Sequence, residues 1–317
     1  VRADPVFDTV PLPPDSLRER TVVITGASDG IGRALSERCA QAGARVVMVG
    51  RNAAKTTHAA NVIMNRTGSR RVTVEIADLL YLEEQHALGE RLVAAHPAIF
   101  ALVNNAGAIF LERQLTRDGL ERTFALNHVA YATLALHVLP SLIAGALPNE
   151  PARLINVASR AHVRARFEPD NLQGEREYSG WSAYSQSKLA NILFTRALAT
   201  RVDSGALVVH ALHPGLVASR FAANNGHFGR LQRRVMDWFS VSAMAGSDTA
   251  AWLLASPEAA HESGAYWVQR KRVEPSESAR DARAAELLWD GTIALAGLQH
   301  LSPSPADASL PDGVRAS

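Results

Sequence analysis

"TVVITGASDGIGRALSERCAQAGARVVMVG", Thr21 to Gly50, is the stretch whose reading decides the fold. Thr21–Gly26 is a short β-branched run that ends in glycine, the pattern of a buried strand. "IGRALSERCAQAGA" follows with helical spacing and stops at a glycine, Gly43. "RVVMVG", Arg45–Gly50, is a second strand. Strand, helix and strand in this order form a βαβ unit, whose strands lie parallel.

The same alternation runs down the chain. Further strands are expected at Arg71–Asp78, Ile99–Gly107, Arg153–Ser159, Ala206–Leu212 and Gly264–Val268. Helices are expected near Ala53–Asn65 and Glu83–Ala95, in a long stretch around Leu120–Leu142, and around Tyr184. Repeated βαβ units give a parallel sheet with helices on both faces. The expected class is therefore α/β, a single-domain, doubly wound parallel sheet. No composition break and no internal repeat divides the chain. The expected organisation is a lead-in over 1–19, the α/β body over 20–300, and a disordered tail over 301–317, rich in Pro, Ser and Asp.

The chain of 317 residues is 47% hydrophobic and 20% charged, enough to bury a large core. A net charge of +2 gives no support to a nucleic-acid partner. Cys39 is the one cysteine, so no intrachain disulfide can form, and the composition suits a reducing cytoplasm. No apolar run reaches the ~18 residues of a membrane span. The first twenty residues carry acids and prolines without an apolar centre, and do not read as a signal peptide.

"TGASDGIG" places Gly26, Gly30 and Gly32 between a strand and a helix, with Ser28, Asp29 and Ile31 among them. Glycines let a backbone approach a pyrophosphate, and a helix N-terminus attracts its charge. The spacing, G-x-x-x-G-x-G, differs from G-x-G-x-x-G. A plain tight turn is the alternative to dinucleotide binding. After the second strand an acidic residue would favour NAD by holding a ribose hydroxyl. Here Gly50 and Arg51 stand instead, a space and a guanidinium suited to the 2′-phosphate of NADP. Arg33 can add charge there, while Asp29 works against it.

"WSAYSQSKLANILF", Trp181–Phe194, sets Tyr184 and Lys188 four residues apart. On a helix both point to one side and can meet one small molecule. Taken alone, such a pair is usually a core-edge tyrosine and a snorkelling lysine.

With these stretches stand Asp78 in "IADL", "NNAG" (Asn104–Gly107), Asn127 in "FALNH", Ser159 in "INVAS" and "HPGLVAS" from His213. Together and in this order they resemble the short-chain dehydrogenase/reductase family over more than half the chain. "FEPDNLQGEREYSGWSAYSQSKLANILFT", Phe167–Thr195, looks most like its retinol dehydrogenase branch. The resemblance implies a Rossmann-type fold and hydride transfer between NADP(H), preferred over NAD(H), and a carbonyl or alcohol. It implies that Tyr184 is the general acid or base, its pKa lowered by the Lys188 ammonium and the oxidised nicotinamide. Ser159 would hold the substrate oxygen, and Asn127 a water that relays protons to Lys188. Lys188 would also bind the nicotinamide ribose. Asp78 and Leu79 would meet the adenine; Asn105, Ala106 and Gly107 would line the cleft. Pro214, Gly215, Val217 and Ser219 would shape the nicotinamide end, Ser219 replacing the usual threonine.

Histidines 128, 162 and 213 flank these motifs without a second ligand at metal spacing, so they read as structural or solvent-facing and no metal is expected. In "FAANNGHFGRLQRRVMDWFSVSAM", Leu231, Val235, Trp238 and Phe239 recur at helical spacing. Phe221, Phe228 and Met236 add apolar surface; Arg230, Arg233 and Arg234 form a wet face. A substrate lid over about 219–245 is expected, with an interface or membrane-surface contact as alternatives. The resemblance suggests a bulky hydrophobic aldehyde, ketone or alcohol and a homo-oligomer paired through the helices of Asn127 and Tyr184. A cofactor-binding sensor without turnover is the alternative function. Retention of Ser159, Tyr184, Lys188 and Asn127 argues against it. A sugar-nucleotide epimerase would need a different glycine spacing and a larger C-terminal domain.

Overall fold

The computed structural model describes residues 9–215 and 242–303. Eight strands form one sheet in the order β3-β2-β1-β4-β5-β6-β7-β8. They are β1 (Thr21–Thr25), β2 (Arg45–Gly50), β3 (Val72–Ile76), β4 (Ala101–Asn104), β5 (Ala152–Val157), β6 (Leu207–His213), β7 (Ala265–Val268) and β8 (Lys271–Arg272). All neighbours pair parallel except β7 with β8. The doubly wound α/β sheet expected from the sequence is the one observed.

Burial on both faces explains the continuous apolar strands. In β1, Val23 faces one core while Val22 and Ile24 face the other. Helices α1 (Gly30–Gln41) and α2 (Ala53–Thr67) cover the second face with helix Asp248–Ala255. The first face takes α3 (Leu82–Ala95), the helical run 122–144, α7 (Gly180–Ala199) and the C-terminal helix Ala282–Ala296.

Three features depart from the sequence expectation. The long helix around Leu120–Leu142 is broken into α4 (Arg122–Phe124), a π-helical turn at Ala125–Val129, α5 (Ala130–His137) and α6 (Leu139–Ala144). Pro140, lacking an N–H, is tolerated because it falls in the first turn of α6. A short hairpin joins β7 to β8 through Gln269 and Arg270, both with positive φ. No Gly or Asn marks that turn, so the usual hairpin signal is missing.

The third departure is the helix Ala282–Ala296. Its signals are ordinary: Asp281 caps it by accepting from Arg283 N and Ala284 N, and Gly297 ends it with φ 66°. Its buried stripe of Ala285, Leu288, Trp289, Thr292 and Ala296 lies on α7 and its neighbours. Trp289 stacks on Phe194 at 5.4 Å between ring centroids. Arg201 lies over Trp289 and makes a two-pronged ion pair with Glu286. This chain's own C-terminal helix thus covers part of the helices that carry Asn127 and Tyr184.

Candidate active site

Chain direction across the sheet reverses between β1 and β4, and ligands of open α/β sheets sit beyond the C-terminal strand ends at such a switch. The loops after these two strands are bolted together. Thr25 Oγ1 accepts from Asn105 N at 2.9 Å and Ala106 N at 3.0 Å, and Asn105 Nδ2 donates to Thr25 O at 2.8 Å. Gly26 adopts φ 65°, and a Cβ there would lie 2.9 Å from Ala106 Cα. At Gly32 a Cβ would lie 2.5 Å from Gly26 O. Glycine is therefore required for this loop to close against "NNAG" and present the N-terminus of α1.

Asp29 caps α1, accepting from Gly30 N at 2.9 Å. Its other oxygen accepts from Lys55 Nζ at 2.9 Å. Lys55 stands in the first turn of α2, three residues after the N-cap Asn52, and offsets the charge that makes Asp29 a counter-signal. Sequence reading missed it; a lysine four residues beyond Arg51, on the same side of a helix start, is the available signal. Arg51 directly follows β2 and is exposed. Gly50 is held small: a Cβ there would lie 2.3 Å from Thr56 Oγ1. The donor set suits an anion-bearing dinucleotide: a glycine cradle, a helix N-terminus and the Lys55 cation beside it. Asp78 Oδ1 accepts from Leu80 N at 3.2 Å, and its own N donates to Glu84. Leu79 is buried behind it.

β5 and α7 deliver the other group. Ser159 follows β5 and caps the 3-10 turn Arg160–Arg164, accepting from Ala161 N. Its hydroxyl is also hydrogen-bonded to Tyr184. Lys188, one turn after Tyr184, is buried and donates to Val157 O at 2.9 Å. Its Nζ lies 5.7 Å from the Tyr184 ring centroid and 5.4 Å from that of Tyr131. Tyr131, absent from the sequence reading, donates to Ala106 O and so ties "NNAG" to α5.

Asn127 sits in the π-helical turn, fully buried. Its Oδ1 accepts from Ala108 N at 2.9 Å; its Nδ2 donates to Ala108 O at 2.9 Å and Ser187 Oγ at 3.1 Å. Its carbonyl accepts from Asn191 Nδ2 at 2.9 Å. Gly107 closes the gap: a Cβ there would lie 3.1 Å from Asn127 Oδ1 and 3.7 Å from Lys188 Nζ. The structure therefore brings Asn127, Ser159, Tyr184 and Lys188 to one end of the sheet. Pro214 and Gly215 follow β6 at the same end. Val217, Ser219 and the expected lid up to position 241 lie outside the described residues.

Burial dominates the electrostatics. Desolvation lowers Lys188 to about 7. It pushes Tyr184 up to about 12, with the Ser159 hydrogen bond pulling the other way. Burial of the hydroxyl thus opposes the lowering expected from the ammonium and the oxidised nicotinamide together. His128, His162 and His213 are all buried, so the solvent-facing alternative does not hold for them. Burial pushes each below the ordinary histidine value, His128 and His213 to about 4. Among the described residues no three His, Cys, Asp or Glu side chains could share a metal ion. Nor is any described helix long and apolar enough to cross a membrane.

The family model for short chain dehydrogenases matches residues 20–228. Mouse retinol dehydrogenase 12 is 35% identical over 280 residues, 88% of this chain and 87% of that protein. A Streptomyces protein, DnrU, named for a daunorubicin C-13 ketoreductase, is 37% identical over 286 residues, 90% of this chain and 95% of its own. Among solved structures, a Mycobacterium paratuberculosis protein of unassigned function matches with a TM-score of 0.70 at 29% identity, over 90% of this chain and 97% of that one. The Pseudomonas aeruginosa RhlG–NADP complex shares the fold, with a TM-score of 0.63 at 24% identity over 80% and 96% of the two chains. The chain belongs to the short-chain dehydrogenase family, in its retinol dehydrogenase branch, and is an NAD(P)-dependent oxidoreductase of CH–OH and C=O groups.

Proposed function

We propose that the protein is an NADP(H)-preferring reductase or dehydrogenase of a bulky hydrophobic aldehyde, ketone or alcohol. The observation that carries this reading is the convergence of Ser159, Tyr184 and Lys188 at the end of the sheet where a glycine loop is tied to Lys55. When bound, the nicotinamide supplies or receives the hydride. The chain's residues do the rest. Ser159 orients the substrate oxygen and steadies the charge growing on it. The Tyr184 hydroxyl gives that oxygen a proton in reduction and takes one back in oxidation. The Lys188 ammonium favours tyrosinate and holds the ribose. Asn127 fixes the Ala108 backbone and so the wall of the cleft.

Gly26, Ser28, Gly30, Ile31 and Gly32 receive the pyrophosphate; Asp29 sets the helix cap. Arg51 and Lys55 take the 2′-phosphate, which is what favours NADP. Asp78 and Leu79 meet the adenine, and Asn105, Ala106 and Gly107 line the cleft. Pro214, Gly215, Val217 and Ser219 form the nicotinamide end. Relatives named for retinol and for daunorubicin C-13 keto reduction support a hydrophobic substrate. So do two exposed apolar side chains beside the catalytic pair. Trp181 is 44% exposed with its ring edge-on to Tyr184, and Val163 is 58% exposed on the turn capped by Ser159. A cytoplasmic setting belongs to the same proposal. So does a homo-oligomer, through surfaces that helix Ala282–Ala296 leaves uncovered.

The test is titration with NADPH and NADH, then absorbance loss against a panel of hydrophobic aldehydes and ketones. Tighter NADPH binding and oxidation that depends on Tyr184 support the proposal. Tight binding without turnover, in either direction, turns the reading to a cofactor sensor.

A further inference from the structure

Behind Lys188 runs a buried chain of hydrogen bonds that leads away from the reacting groups. Asn191, one turn beyond Lys188 on α7, donates through Nδ2 to Asn127 O at 2.9 Å and Val157 O at 3.4 Å. Val157 O is also the acceptor for Lys188 Nζ. Asn191 Oδ1 lies 3.2 Å from His128 Nδ1, and His128 Nε2 lies 2.9 Å from Thr292 Oγ1. Asn127, His128 and Thr292 are 0% exposed, Asn191 1% and Lys188 3%.

Donor and acceptor chemistry fixes the direction at the Asn191 end. The Asn191 amide nitrogen faces two carbonyls, so its oxygen faces His128 and can only accept. His128 Nδ1 therefore carries the hydrogen. The Thr292 hydroxyl can donate to Nε2 or accept from it. Burial pushes His128 down to about 4, and in the neutral ring Nε2 accepts from Thr292. Thr292 belongs to the C-terminal helix, remote in sequence from every motif of the site.

We propose that Thr292, His128 and Asn191 form a positioning relay that fixes Val157 O and Asn127 O behind Lys188, making the C-terminal helix part of the catalytic apparatus. The proposal rests on the reading of Tyr184 and Lys188 as the reacting pair. Buried groups that cannot rearrange hold a catalytic side chain within the narrow range that efficient transfer needs. Tyr184 and Tyr131 face Lys188 on one side, and His128 is the titratable group on the other.

The chain has three lysines, Lys55, Lys188 and Lys271, so lysine labelled with carbon-13 at Cε gives a spectrum in which Lys188 can be titrated directly. Three variants decide the matter: Thr292→Val, Thr292→Ser and Asn191→Leu. Loss of the relay should let the ammonium's acceptor drift, so the Lys188 midpoint falls below its wild-type value in Thr292→Val and Asn191→Leu. Thr292→Ser, which keeps the hydroxyl, should restore it. Turnover of decanal with NADPH should fall on the order of ten-fold in the two broken variants, with the Kd for NADPH unchanged. A wild-type Lys188 midpoint in Thr292→Val, or equal loss in Thr292→Ser, overturns the relay whatever the thermal stability does. If Asn191→Leu does not fold, the threonine pair still decides. Lys188→Met serves as control: if it keeps activity, the underlying reading fails; if it alone is inactive, only the relay fails.

Discussion

Lys55 Nζ donates to Asp29 Oδ2 at 2.9 Å, which ties the start of α2 to the glycine loop. The pair is partly exposed, so it adds little stability of its own. Its consequence lies in charge placement: Asp29 can cap α1 without repelling a phosphate. Lys55→Ala should weaken NADPH binding roughly ten-fold, the size of one lost charge-assisted contact, and NADH binding far less. Kd values for both cofactors by fluorescence titration check this. Equal weakening of the two would remove Lys55 from the 2′-phosphate. Arg51→Asp should go further and reverse the preference toward NADH.

Tyr184→Phe removes one hydroxyl from a ring whose place on α7 is set by backbone and packing. Cofactor binding should stay intact. Turnover should fall by about two to four orders of magnitude, the usual reach of general acid–base catalysis. Single-turnover NADPH oxidation measures it, and a near-wild-type rate would sink the mechanism.

Much of this is legible in the amino-acid sequence. Apolar strands with β-branched residues announce a sheet buried on both faces, and the glycine loop announces what its end receives. The Tyr184–Lys188 spacing is a statement about helix geometry and needs no tertiary knowledge. What escaped was tertiary in origin. Asn191 and Thr292 are unremarkable on their own helices and acquire meaning only through His128 between them. The π-helical turn at Asn127 escaped because helical periodicity cannot register one extra residue in a turn. The desolvation that raises Tyr184 escaped too, because burial cannot be read from the Tyr184–Lys188 spacing; it opposes the lowering expected from the ammonium and the oxidised nicotinamide.

Lys188 is a buried cation, and its folding cost depends on pH. Its folded midpoint, about 7, lies below the ~10.4 of an exposed lysine. Between these values the unfolded chain binds more protons, so stability rises with pH across that window. The cost is in full force below the folded midpoint. Lys188→Met should therefore stabilise the fold by up to about 4–5 kcal/mol at and below neutral pH, with the gain shrinking as pH climbs toward ~10. Urea melts at several pH values read the difference. A variant less stable throughout would mean that the bond to Val157 O outweighs desolvation.

Trp181 offers its exposed indole beside Tyr184, and a flat apolar substrate would cover it. Trp181→Ala should raise KM for a polycyclic ketone about three- to ten-fold, the worth of one aromatic contact. KM for a short aliphatic aldehyde should hardly move, and Trp181→Phe should recover most of the loss. Parallel changes for both substrates would place the ring outside the substrate's path.

Trp289 is 3% exposed, stacks on Phe194 from the C-terminal helix, and has the Arg201 guanidinium 4.4 Å above its ring. Removing it uncovers the apolar side of α7 and leaves a hole too large for its neighbours to fill. Trp289→Ala should cost about 3–5 kcal/mol of unfolding free energy, the range for a deleted core aromatic. Because α7 also carries Tyr184 and Lys188, the loss should reach the active site before global unfolding. The decline of NADPH binding with urea should then precede the far-UV transition in the variant and coincide with it in the wild type. Coincident transitions in both would show that the C-terminal helix and the sheet unfold as one unit, with α7 held by the strands alone.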